Sequence, residues 1–394
     1  MIATKICEGI YWVGVIDWGL RNFHGYSTPL GSTYNAYLIL DEKITLIDNV
    51  KEPFTEEMLA RISSVIDPSK IEVIISNHGE PDHSGSLLKV LKLAKQAKIY
   101  SAAPNGVKIL KAQYGDDLPI VGVKSGDSLS IGKRTLEFYL APMVHWPDNM
   151  VTYLKEDKIL FSNDIFGQHL ASSERFDDEF DLDIALREAK KYYANIVLPY
   201  TKQAYKFAES IGKLDIKMIA TSHGISWRSH IPEIMSLYQK MTTSTKKEKA
   251  VVVYDTMWGS TEDIAHLITE TFMEKNISVV MYNINDTDDS DIITELMEAK
   301  YLAVGSPTFN NNILPRLASF LTYLKGLAPV GIKYIAFGSY GWGGQSINII
   351  DDILASLKFE RLVEPFKQNY KPKDEDLNLF KNKLSEALDK EVKL

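Results

Sequence analysis

Ser76-Asn77-His78-Gly79-Glu80-Pro81-Asp82-His83-Ser84-Gly85 is the stretch on which the reading of this chain turns. Four potential metal ligands fall within six residues, directly after an apolar run at residues 71–75 and before a helix-like run at residues 86–93. A strand end opening into a loop is where an α/β protein can aim several side chains at one point. Ligand positions i, i+2, i+4 and i+5 do not follow one face of a helix, so the pattern is not helix-surface patterning. The stretch reads as half of a metal site.

The other half lies further along. His145 follows the apolar residues 140–144, Asp164 follows the strand-like residues 159–163, and His223 follows residues 218–222. With His78, Glu80, Asp82 and His83 this makes seven ligands, four imidazoles and three carboxylates. Seven exceed the needs of one tetrahedral ion and suit two metals sharing a bridging group, for which the isolated Asp164 is the natural choice. Each residue has a plainer use when taken singly. A lone His after a strand is more often a hydrogen-bonded structural residue, Asp82 can cap the following helix, and Asp164 can be a turn residue. The dense first cluster together with three strand-end ligands outweighs those uses.

Around these residues the chain alternates strands and helices. Residues 10–49 are strand-like, with a hairpin across residues 41–43; helices are expected at 53–65, 86–95, 105–113, 182–196 and 201–211, and strands at 71–76, 98–101, 136–140, 150–154, 159–162 and 218–221. Layered α/β packing follows for the first half. The polar residues 242–249 mark the boundary, giving expected domains of residues 1–246 and 247–394. Beyond it the βαβ rhythm is regular, which means a parallel sheet with helices on both faces. Residues 371–394 read as a charged closing helix.

The chain has 394 residues, 45% of them hydrophobic and 24% charged, with no low-complexity block, which is the composition of a globular protein. A net charge of -8 argues against nucleic acid or an anionic membrane as partner. No apolar run reaches the roughly 18 residues of a membrane span, and the first residues lack a secretion signal, so a cytoplasmic location is expected. The single cysteine, Cys7, rules out intrachain disulfides and four-thiolate iron sites within this sequence. If electrons flow here, another group carries them.

In the second half, a strand at residues 251–254 runs into Thr256-Met257-Trp258-Gly259-Ser260-Thr261 and then a helix. Hydroxyls and N–H groups at a helix start suit a phosphate. Neither the triphosphate-loop pattern nor G-x-G-x-x-G is present. Two more strand-end loops carry Ser306-Pro307-Thr308-Phe309-Asn310 and Ser339-Tyr340-Gly341-Trp342-Gly343-Gly344. Loops of this kind converge where an open parallel sheet binds its ligand, and Trp342 can stack on a flat ring, although alone it reads as a partly buried core aromatic.

The order H-x-E-x-D-H, then His, then Asp nineteen residues later, then a distant His, resembles the metallo-β-lactamase superfamily, whose zinc hydrolases carry H-x-H-x-D-H. Glu80 stands where they have the second His. Carboxylate in place of imidazole hardens the site and favours iron. The second half resembles flavodoxin, with Trp258-Gly259-Ser260-Thr261 departing mildly from the usual Gly-Asn-Thr loop. Together the halves resemble the flavodiiron proteins across the chain. That resemblance implies an αββα metallo-β-lactamase-like sandwich, a flavodoxin-like doubly wound parallel sheet, a non-haem diiron site and FMN. It implies reduction of dioxygen to water or of nitric oxide to nitrous oxide. His78, Glu80 and His145 would hold one iron, Asp82, His83 and His223 the other, with Asp164 bridging. His24, His169 and Tyr193 match positions beside such a site, where they would donate protons or hydrogen bonds; a structural role is the alternative. The resemblance further implies a head-to-tail homodimer or a dimer of dimers, and an external electron donor such as rubredoxin or a reduced deazaflavin. A zinc hydrolase with an accessory flavodoxin domain, and a carrier or gas sensor without turnover, are the rival readings.

Overall fold

The computed structural model describes residues 1–392. Two compact units form: Met1–His24, Thr28–Tyr193 and Tyr200–Thr243 make the first, and Gly25–Ser27, Ala194–Pro199 and the chain from Ser244 onward make the second. Within the second unit, the Ser27 hydroxyl donates to Asp288 at 2.7 Å and the Asn195 amide donates to the Ser290 carbonyl at 3.1 Å. These two short insertions carry no sequence signal at a linker scale.

The first unit is built on two sheets. One runs in the order Thr4–Cys7, Ile10–Trp12, Tyr37–Ile39, Thr45–Ile47, Val73–Ser76, Lys98–Ala102, Ile120–Val123; the other runs Ser128–Ser130, Thr135–Leu140, Met150–Leu154, Ile159–Asn163, Met218–Thr221. Strand periodicity decides how they pack. Val73 and Ile75 of the first sheet join Phe138, Met150, Ile159 and Phe161 of the second in one core, while Ile74 turns the other way onto Met58, Ile62, Leu87, Val90 and Leu110 of the helices. The expected hairpin at residues 41–43 joins Tyr37–Ile39 to Thr45–Ile47 in antiparallel register. A helix at Ile231–Thr242, not expected from periodicity, packs with the helices Leu182–Tyr192 and Thr201–Ile211. The helical run expected to reach residue 196 leaves the α form at Tyr192 and continues as a π turn at Tyr193–Val197.

Strand direction gathers the ligands. Thr135–Leu140 is antiparallel to Met150–Leu154, which is antiparallel to Ile159–Asn163, which is parallel to Met218–Thr221. The carboxyl ends of the first, third and fourth of these therefore leave the sheet on one edge, carrying the loops of His145, Asp164 and His223. Asn163 takes a left-handed φ of 52° at its strand end, which turns Asp164 out of the sheet.

The second unit is a parallel sheet in the order Ser278–Asn283, Lys247–Tyr254, Ala299–Gly305, Lys333–Tyr340, Glu360–Arg361, with Phe366–Asn369 also paired to Lys333–Tyr340. Counted along the chain this is the 2-1-3-4-5 order of flavodoxin-like sheets, whose ligands sit at the carboxyl ends of the strands where the order reverses. The closing helix runs Asp374–Val392, and the last two residues of the expected helix lie outside the described residues.

Candidate metal centre and flavin cleft

Glu80-Pro81-Asp82-His83-Ser84 is more ordered than a loop. Pro81 opens a single helical turn, Pro81–Ser84, which Pro favours because its fixed φ suits a first helical position. The Ser84 hydroxyl ties the turn down through Gly79 and Glu80 carbonyls, both at 2.8 Å. Asp82 caps nothing: both its oxygens are buried without a hydrogen-bond partner.

Two triads result. One nitrogen or oxygen from each of His78, Glu80 and His145 lies within 4.8 Å of the others, and Asp82, His83 and His223 meet the same condition. Asp164 stands between them. Its Oδ1 is 3.0 Å from His83 Nε2 and 3.5 Å from His223 Nε2; its Oδ2 is 3.4 Å from His145 Nε2 and 3.7 Å from His78 Nε2. Both Asp164 oxygens are buried and lack a hydrogen-bond partner. A buried carboxylate left so is costly unless a cation completes it. The donor set of imidazole and carboxylate, with orphaned oxygens aimed inward, fits a pair of metal ions.

Electrostatics agree. Burial opposes charge on His78, His83 and His145, yet the carboxylates around them outweigh it and push the imidazoles up to about 10, about 9 and about 10. Burial likewise opposes ionisation of Asp164 and Glu80, but the facing imidazoles hold both carboxyls far below their ordinary range. Opposite charges at close range in a dry site account for both directions.

His24 lies at the rim, its side chain 75% exposed and Nε2 3.6 Å from Glu80 Oε1. His169 is buried against His223, with ring centroids 4.9 Å apart, and Ser32 Oγ lies 2.8 Å from its Nδ1. Burial, reinforced by His223, holds its pKa well below the ordinary value, so it is neutral. Tyr193 is not brought to the cluster: its hydroxyl donates to Thr201 at 3.2 Å and its ring packs on Tyr238. The π turn begins at that residue, and the preceding Tyr192 is the one whose ring meets His169 and His223, at 5.1 and 6.0 Å. Burial, with Asp164 next, raises its phenol well above the ordinary value.

Asp148 was not legible as a site residue. It accepts from the Gly79 N–H at 2.6 Å, and the same Oδ2 lies 3.2 Å from His78 Nδ1. Gly79 permits this approach, since a Cβ there would meet Ile109 at 2.6 Å and Asp148 at 3.2 Å.

In the second unit, a cleft of about 750 Å³ opens at the strand ends, walled by Met257, Trp258, Ser260, Pro307, Thr308, Asn310, Ser339, Tyr340, Gly341, Trp342 and Gly343, with Asp263, Asn311, Tyr370 and Lys371 added by the structure. Other residues of the three loops brace them. Thr256 Oγ1 accepts from the Gly259 N–H, Thr261 bonds to Ser339, Ser306 Oγ accepts from the Leu314 N–H, Phe309 pairs with Asn312, and Gly344 caps the helix Gln345–Ser356. Gly259 has φ +83° with open space where a Cβ would stand, at the start of the helix Ser260–Glu274. N–H groups and hydroxyls at that helix start fit a phosphate, and Trp258 and Trp342, 92% and 93% exposed, fit a flat ring between them and solvent. Trp342 is therefore not a core aromatic.

A two-sheet sandwich with this ligand order, joined to this parallel sheet and cleft, defines a metallo-β-lactamase-like domain fused to a flavodoxin. A family model described as ODP family beta lactamase matches residues 33–224, and one described as Flavodoxin matches residues 252–381. The chain is 43% identical over 380 residues to the nitric oxide reductase of Moorella thermoacetica, covering 95% of each protein. It is 40% identical over 387 residues to the rubredoxin-oxygen oxidoreductase of Megalodesulfovibrio gigas, covering 97% of this chain and 96% of that protein. The crystal structure of the flavodiiron protein from Giardia intestinalis superposes with a TM-score of 0.94 at 34% identity, over 98% of this chain and 96% of that one. The chain belongs to the flavodiiron protein family.

Proposed function

We propose that this chain is a flavodiiron oxidoreductase that reduces dioxygen to water, nitric oxide to nitrous oxide, or both, with electrons entering through FMN from an external donor. The observation that carries the proposal is Asp164, whose two orphaned oxygens each face a different triad. His78, Glu80 and His145 would hold one iron, Asp82, His83 and His223 the other, and Asp164 would bridge them. Glu80 supports iron over zinc, because a carboxylate hardens the site. FMN fits the cleft walled by the loops of Trp258, Thr308 and Trp342. When bound, two ferrous ions and a reduced flavin supply four electrons, the number that converts one dioxygen to two waters.

The chain's own residues handle protons and access. His24, exposed beside Glu80, can exchange protons with solvent. His169, held neutral and buried, and Tyr192, held protonated, bound the His223 side of the site with groups that carry no charge. Tyr192 takes the part first assigned to Tyr193. The exposed Trp258 and Trp342 support a second copy of the chain as their cover, in a head-to-tail homodimer. The names of the relatives support rubredoxin as one donor, with a reduced deazaflavin as the other to try. A cytoplasmic location agrees with there being no helix among the described residues long and apolar enough to cross a membrane.

The test is an oxidase assay beside a nitric oxide reductase assay, both driven by the same reduced carrier. Turnover of either gas is expected. Turnover of neither, with hydrolysis of a thioester or lactam by a two-zinc form, would overturn the proposal.

A further inference from the structure

Counted by type, the ligands that face the two metal positions are the same: two imidazoles and one carboxylate in each triad, with Asp164 shared. The groups behind those ligands are not. His78 Nδ1 lies 3.2 Å from Asp148 Oδ2. His223 Nδ1 lies 2.7 Å from the Thr33 carbonyl oxygen, a neutral acceptor. His83 Nδ1 is buried without a hydrogen-bond partner. A further buried carboxylate, Asp48, lies near His83, but both its oxygens accept from Asn77, at 2.7 and 2.9 Å.

Asp148 has little else to do with its charge. It is wholly buried, its other oxygen has no hydrogen-bond partner among the described residues, and it also accepts from the Gly79 N–H, which belongs to the ligand loop itself. A carboxylate behind a ligating imidazole fixes which nitrogen carries the proton, fixes the ring's orientation and makes the other nitrogen a stronger donor. With Nδ1–H given to Asp148, Nε2 of His78, which lies 3.2 and 3.7 Å from Glu80 and Asp164, is the nitrogen left for a metal.

We infer that Asp148 is a positioning residue that makes the two metal positions unequal, so that the metal held by His78, Glu80 and His145 is bound through a carboxylate-backed imidazole and its neighbour is not. The inference rests on reading the site as a two-iron centre. It goes beyond that reading, because the facing ligands alone predict two equivalent positions. Loss of such a backing group typically weakens metal binding ten- to a hundredfold.

The experiment uses the full chain loaded with iron-57 and FMN. Asp148→Asn keeps a carbonyl acceptor for both N–H groups, puts an amide NH2 in place of the unpartnered oxygen and removes the charge. In the reduced variant, one of two iron ions should pass to a ferrous chelator about ten- to a hundredfold faster than in the parent, while the second keeps its parent rate. One of the two ferrous Mössbauer doublets should move and the other stay. Release of both ions at the parent rate, equal acceleration of both, or two unmoved doublets would overturn the inference. A parent chain that takes up no iron pair would instead overturn the reading of the site. A second measurement needs no variant: in the zinc-substituted parent, nitrogen-15 NMR should show the His78 Nδ1 proton well downfield of those of His83 and His223. Equal shifts for the three would contradict a special role for Asp148.

Discussion

Removing the Asp164 carboxylate is the perturbation on which the geometry speaks most clearly. In Asp164→Ala, four imidazole nitrogens within 3.7 Å of the lost oxygens keep facing one another with their shared counter-charge gone. Three of those imidazoles are pushed up to about 9 or 10 in the metal-free protein, so they carry charge at neutral pH. Breaking a buried pair by removing one partner typically costs about 3–5 kcal/mol. The metal-free first unit should lose about that much stability at pH 7. In the loaded protein the same change removes the side chain whose two oxygens face both triads, so both ions should be lost together. Urea unfolding followed by hydrogen exchange in the strands Val73–Ser76 and Ile159–Asn163 reads the first effect, and elemental analysis reads the second. A metal-free variant within about 1 kcal/mol of the parent, or one retaining two ions, would refute the reasoning.

The metal-free protein should also lose stability as pH rises. The raised imidazoles contribute fully below their unfolded value of about 6.5, and that contribution disappears as pH climbs through 9 to 10; metal-loaded protein, whose imidazoles are already deprotonated, should lose less over the same window. Comparing urea midpoints of the two forms at pH 6.5 and pH 10 checks the sign. Tyr193→Phe should cost about 1 kcal/mol through its bond to Thr201 and leave turnover intact, whereas Tyr192→Phe should change turnover; equal effects would remove Tyr192 from the site. Trp342→Ala should weaken FMN binding about two- to tenfold, the worth of one aromatic stack, without changing metal content, as titration of the flavin-free protein would show. His78→Ala should lose metal and keep the flavin absorbance.

Much of this was legible in the order of residues. His78, Glu80, Asp82 and His83 are adjacent in the chain, so local density alone marks them, and His145, Asp164 and His223 each follow an apolar run long enough to read as a strand. Asp148 has no such mark: it sits in a Pro-Asp-Asn turn, and its partner His78 is 70 positions away. The three-residue strand Ser128–Ser130 is too short for a two-residue period to register. Tyr192 and Tyr193 are neighbours in one helical run, and the change to a π turn after Tyr192 separates the ring that meets His169 and His223 from the one that packs on Tyr238. Tyr370 and Lys371 join the flavin cleft because Phe366–Asn369 pairs with Lys333–Tyr340, a long-range pairing that no local pattern announces.

One anaerobic experiment on the loaded chain tests the diiron–flavin assignment most directly. Fully reduced protein is given a single limiting pulse of dioxygen, and metal content, flavin absorbance and peroxide are measured together. Two irons and one FMN per chain are expected, with immediate flavin reoxidation by dioxygen to water without peroxide, or by a parallel pulse of nitric oxide to nitrous oxide. Two zincs and no iron, or a flavin that stays reduced after both the dioxygen pulse and a parallel pulse of nitric oxide, would overturn that assignment.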